Sequence, residues 1–163
     1  MSVVVNIQYA VSGQGLPAAE QIERWAQAVL CASRRADAID AELTVRIIDA
    51  AESATLNETF RKRPGPTNVL SFPYEAPVRE LFEADAPNYL GDIAICAPVV
   101  EREAHEQHKD LTAHWAHMVV HASLHLLGYD HIDTAEAGAM EALEINILAR
   151  IGYANPYLDI EDA

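Results

Sequence analysis

All seven histidines of this 163-residue chain fall between His105 and His131, and the densest stretch, from His121 to His131, reads HASLHLLGYDH. On a helix, residues four apart are separated by about 400° of turn, so His121 and His125 project from one face, one turn apart. Gly128 suits the left-handed position that ends a helix, and a chain reversal there returns His131 towards the same face. Three neutral ring nitrogens can then converge on one ion and leave a fourth position to water, as in catalytic zinc sites. Such a set favours zinc over magnesium or calcium, while nickel, cobalt and copper compete on ligand type alone. His117 lies one turn before His121 and reads as a supporting group or an alternative ligand. It ranks lower because a straight helix rarely closes 117, 121 and 125 on one small ion. His114 lies further up the helix, and His105 and His108 read as solvated.

The rest of the composition is that of one ordinary domain. Half the residues are hydrophobic and 22% are charged, which excludes wholesale disorder. No apolar run reaches the roughly 18 residues needed to cross a bilayer, and MSVVVNIQYA has no basic leader, so a soluble cytoplasmic protein without membrane partners is expected. Cys31 and Cys96 lack CxxC spacing and are expected as reduced core thiols. A formal net charge of -14 excludes nucleic-acid binding over the whole surface. It leaves room for a local patch at Arg61, Lys62 and Arg63.

Periodicity predicts an α+β domain, with a small mixed sheet of about four strands, helices packed against it, and the metal site on a helix and the following loop. The expected strands are Val3 to Gln8, one through Leu43, Val45 and Ile47, Val69 to Tyr74, and Leu90 to Cys96. Ile22, Trp25, Ala26, Val29 and Leu30 mark the buried face of a first helix after Pro17. Glu52 to Phe60 reads as a short helix ended by Pro64, Gly65 and Pro66. Thr112 or Asp110 caps a helix running to about Leu127. Asp133 and Glu136 resemble a capping box for a last helix with Met140, Leu143 and Ile147 inward and Gly152 beyond its end.

The histidine spacing equals that of metzincin metalloproteases, H-E-x-x-H-x-x-G-x-x-H, but Ala122 stands where those enzymes need glutamate. Without that general base, a protease of that type is disfavoured. With HASLHLLGYDH, the blocks NETFRKRPGPTNVLSFP (Asn57 to Pro73), LGDIAIC (Leu90 to Cys96), HWAHMVVH (His114 to His121) and the late GYANPY closely resemble the YbeY family of bacterial endoribonucleases, in family order from Leu43 to Tyr157. Ala122 departs from the glycine usual there, and the RKRPGP loop is unusually rich in proline. The resemblance implies that His121, His125 and His131 bind zinc and that Arg61 serves catalysis beside it. It further implies cleavage of single-stranded RNA, 16S rRNA maturation on the small ribosomal subunit, ribosome quality control, and a ribosomal protein or assembly GTPase as a further partner.

The chemistry expected from these residues is hydrolysis of an RNA phosphodiester, attacked by a zinc-activated water or by the ribose 2′-hydroxyl. Arg61 offers a planar fork for phosphate, and Lys62 and Arg63 suit steering of the backbone. Asn68 and Ser71 border the expected cleft and are read mainly as strand and turn hydrogen bonders. Asp130 is read as orienting a ligand or the His131 loop, Asp92 as organising a strand start, and Tyr129, Trp25 and Trp115 as core or hinge residues. Two other readings stay open: a ribosome-assembly binding module with a structural zinc, and a zinc hydrolase of another substrate. A wet fourth coordination position separates enzyme from module.

Overall fold

The structure is a computed structural model that describes residues 3–33, 40–74, 88–129 and 133–158. Its elements, in chain order, are β1 (Val3–Tyr9), α1 (Ala19–Ser33), β2 (Ala41–Ile48), α2 (Ala50–Leu56), a π-helical turn (Asn57–Arg61), β3 (Val69–Pro73), β4 (Asn88–Cys96), α3 (Ala97–Glu106), α4 (Leu111–Leu126) and α5 (Thr134–Arg150). The strands form one mixed sheet in the order β1-β2-β4-β3. β1, β2 and β4 run parallel, and β3 pairs antiparallel with β4. The α+β architecture expected from periodicity is the one present.

Alternation along β2 explains the layering. Ala41, Leu43, Val45 and Ile47 are buried on one face, where they meet Ile22, Trp25, Val29 and Leu30 of α1 and Trp115, Val119 and Val120 of α4. The other face carries a smaller cluster, Ile48, Leu70, Ala94, Cys96 and Val99, under α2 and α3. Each large apolar side chain removed from water in this way contributes about 1.5–3 kcal/mol. Trp25→Ala alone would cost about 3–5 kcal/mol. Cys96 is a buried thiol as expected, but Cys31 is exposed. It follows Leu30 by one residue, and the 100° step carries it off the stripe of α1.

Two backbone features set the ground beneath the site. The register between β2 and β4 shifts between Glu42 and Leu43, which leaves Leu90 as an extra residue in β4. Beside it, Gly91 has φ +142, and a Cβ there would lie 2.3 Å from the Phe72 carbonyl oxygen, so glycine is what allows β3 to approach β4. Asp92 lies within β4 rather than at its start and accepts from the Tyr89 hydroxyl, a correction to the sequence expectation.

α4 is the central helix. Eleven of its residues are buried, among them His114, Trp115, His117, Val119, Val120, Ala122 and Leu124, and such an all-round burial marks a helix enclosed by its neighbours. Asp110, one of the two expected caps, accepts from the Ala113 amide at its start. At its end the Gly128 amide bonds to the His125 carbonyl, with Gly128 at φ +98, as the spacing predicts. α5 starts on the Asp133 cap, which accepts from Glu136 N. Its buried residues are Met140, Glu144, Ile147 and Leu148. Glu144 is a carboxylate on an apolar stripe.

Candidate metal and nucleic-acid site

A cleft of about 930 Å³ opens between β3, the segment before it and the exposed edge of α4. The loop that carries the basic patch is folded against its own stem. Ser53 Oγ donates to the Thr67 carbonyl at 2.9 Å, and Asn57 Nδ2 donates to the Gly65 carbonyl at 2.9 Å. The helix expected at Glu52 to Phe60 is α2 running into the π-helical turn, closed by Lys62 in the left-handed conformation at φ +58. This brings Arg61 and Arg63 to the cleft wall. Arg61 Nη2 donates to the Ser71 carbonyl at 2.6 Å, and its guanidinium carbon lies 5.5 Å from the centre of the Phe72 ring. Ser71 in turn joins β3 to α4 through a 3.3 Å bond from Oγ to the Ala122 carbonyl.

His121 and His125 line the same cleft, and their Nε2 atoms lie 3.1 Å apart. Two lone pairs repel at that distance, so a proton or a cation must lie between them. Donors of a four-coordinate ion bound at about 2.0–2.1 Å are separated by roughly 3.3 Å, and the two rings fit that spacing. On its other side, His121 Nδ1 meets Glu144 Oε1. Glu144 is fully buried and also takes His117 Nε2, at 3.3 Å, and the Tyr157 hydroxyl. Burial alone would raise the Glu144 pKa, but the bonds from His117 and His121 outweigh it and hold the carboxyl at about 2. Burial keeps the His117 pKa below its ordinary value, and burial followed by Glu144 pushes the Tyr157 phenol up.

Among the described residues, His117, His121 and Glu144 form a group with one donor atom each within 4.8 Å of one another, close enough to hold a metal ion. His117, ranked below His121 and His125 from the sequence, is therefore a member of the group that could hold an ion. His131 and Asp130 lie outside the described residues. The donor chemistry of the site, imidazole with one carboxylate, suits a transition metal. Asn68 and Ser71 both line the cleft and both serve structural bonds, Asn68 through Nδ2 to Glu103 at 3.1 Å. Tyr129 lines the cleft as well, whereas Trp25 and Trp115 are core. His105 and His108 are exposed, as expected.

Sequence reasoning misses Glu144 and Tyr157. The signal for Glu144 is an acid four residues after Met140 and three before Ile147, inside the inner stripe of α5. For Tyr157 it is the end of the GYANPY block. The charge of the cleft also differs from that of the chain. Its described lining holds Arg61, Arg63, three histidines and two tyrosines, and no carboxylate residue. Against a net charge of -14, this is a local cationic surface suited to an anion.

The mixed sheet and its central histidine helix thus define an α+β domain with a metal-competent cluster at the wall of a basic cleft. Residues 8–152 match the endoribonuclease YbeY family, and the chain belongs to that family. The solution structure of TM1509 from Thermotoga maritima shares the fold, with a TM-score of 0.56 at 24% sequence identity over 91% of each chain. Among the described residues, no helix is long and apolar enough to cross a membrane.

Proposed function

We propose that the protein is a zinc-dependent endoribonuclease that cleaves single-stranded RNA during 16S rRNA maturation and ribosome quality control in the cytoplasm. The observation that carries this reading is the pairing of Arg61 with the facing Nε2 atoms of His121 and His125, in one cleft whose described lining has no carboxylate. His121, His125 and His131 would hold the ion, which when bound supplies a Lewis acid and lowers the pKa of a coordinated water. The protein's own groups bind and orient the substrate. Arg61 is held by Ser71 and Phe72 and uses its remaining N–H groups on a phosphate oxygen, where charge builds during cleavage. Arg63 attracts the neighbouring phosphate, so binding to free RNA is weak and falls with salt. Specificity then comes from the small ribosomal subunit, with a ribosomal protein or assembly GTPase as partner.

The test is cleavage of a purified single-stranded 16S rRNA fragment by wild type and His125→Ala, with zinc measured on both. The variant is expected to lose zinc and cleavage together. Equal cleavage by the two proteins would remove the proposal. One observation favours a second reading: His117, His121 and Glu144 offer three donors within 4.8 Å of one another, so a structural ion would be held by this group without His125. In that case His125→Ala keeps its zinc.

A further inference from the structure

Tyr157 is 45% exposed, yet its hydroxyl reaches inward to a carboxylate that is itself fully buried. The segment that delivers it is fixed at several points. Tyr153 packs edge-on against Trp25 with ring centres 6.3 Å apart, Lys109 Nζ donates to the Pro156 carbonyl, and the Tyr157 amide bonds to Asn155 Oδ1 at 2.9 Å. The Tyr157 ring also meets His117 edge-on at 5.4 Å. A tyrosine held so closely over a buried acid is a built contact.

Resting on the metal reading above, we propose that Glu144 and Tyr157 are positioning residues: Glu144 accepts the Nδ1 proton of His121 so that Nε2 faces the cleft, and Tyr157 holds the carboxylate in that pose. With His117, His121 and the Tyr157 hydroxyl converging on its two oxygens, the carboxylate is placed as their common acceptor. His121 Nδ1 must therefore carry the hydrogen of their bond, which leaves the Nε2 lone pair as the donor towards a metal. The two Glu144 oxygens serve three hydrogen-bond donors, with His121 on Oε1 and both His117 and Tyr157 on Oε2. Removing the phenol frees the carboxylate to turn, and the ring of His121 turns with it. Neutral His–carboxylate pairs of this kind orient ligands and raise their basicity at known metal centres. Glu144 thus belongs behind His121, and its place in the compact donor group follows from the hydrogen bonds.

Two variants and two readouts test this. In metal-free protein, nitrogen-15 NMR is expected to show His121 protonated on Nδ1, and Glu144→Gln to move that proton wholly or partly to Nε2. Zinc affinity, read by competition with a chromophoric chelator, is expected to fall about 10- to 100-fold in Glu144→Gln. In Tyr157→Phe it should fall about three- to tenfold, with His121 broadened between tautomers. If Glu144→Gln fails to fold, the Tyr157→Phe measurements decide alone. Wild-type tautomer and affinity in the folded variants would overturn the proposal. Complete loss of zinc in Glu144→Gln, with zinc retained in His125→Ala, would overturn it too, because Glu144 would then be a ligand. Zinc-loaded wild type that leaves RNA intact while these shifts appear would refute the nuclease reading and leave this one standing.

Discussion

Two of the histidine–carboxylate pairs on α4, His114 with Glu103 and His121 with Glu144, have inverted burial. In the first, His114 is only 4% exposed while the side chain of its partner Glu103 is 25% exposed. In the second, Glu144 is fully buried and the side chain of His121 is 26% exposed. The first pair hides its ring behind the acid, so its work is to join α4 to α3 and, through Asn68, to the start of β3. The second hides the acid behind the ring and presents an imidazole to the cleft, opposite His125. A histidine beside an acid is thus not a site in itself. The side that solvent reaches decides.

Substitutions can break that contrast. The largest effect should come from His121→Ala, which is expected to lower RNA cleavage by about 10³-fold or more and to strip the zinc, whereas His114→Ala keeps its zinc. Metal analysis on the two purified proteins separates them, and zinc loss from His114→Ala would dissolve the distinction. Arg61→Ala is expected to reduce cleavage by about 10²-fold with zinc unchanged, since it removes charge stabilisation only. Single-turnover rates at saturating RNA check this.

On the structural side, His114→Ala should cost about 2 kcal/mol, seen as a lower urea midpoint. The smallest effect is that of Glu103→Gln, about 1 kcal/mol at neutral pH. Burial would raise the Glu103 pKa, but hydrogen bonds from His114 and Asn68 bring it below its ordinary value. A depressed carboxylate stabilises the fold above its unfolded pKa, and that contribution fades as pH falls through the folded value. Urea unfolding from pH 7 down to 3 should therefore show wild type losing its advantage over Glu103→Gln on the acid side. Parallel curves would show that the pair does not contribute.

The contrast also shows what a lone sequence can carry. Periodicity identifies β1, β2 and α1, because each buries one face with a regular repeat, whereas α4, buried all round, is legible from its Asp110 cap and Gly128 end, and α5 from its Asp133 cap. His121 and His125 are legible because one helical turn brings them together without help from the rest of the chain. Glu144 is not, since its role depends on α5 packing over α4, 23 residues away in sequence, and local pattern reports only that an acid breaks a stripe. Arg61 is legible by resemblance, but its anchorage is not: the Ser71 carbonyl and Phe72 ring reach it only after β3 has folded back. His131, expected as the third ligand, lies outside the described residues.

The π-helical turn at Asn57–Arg61 makes the cleft wall sensitive to the length of the chain. Such a turn holds one residue more than an ordinary helical turn, and deleting that residue restores α-helical winding and rotates the chain beyond it by about 100°. A one-residue deletion between Glu58 and Phe60 would leave every side chain of the basic triplet in place in the sequence while swinging its first guanidinium off the Ser71 carbonyl. A one-residue change of length in this short stretch is therefore expected to displace Arg61 from the cleft wall, which a substitution that keeps the length does not do.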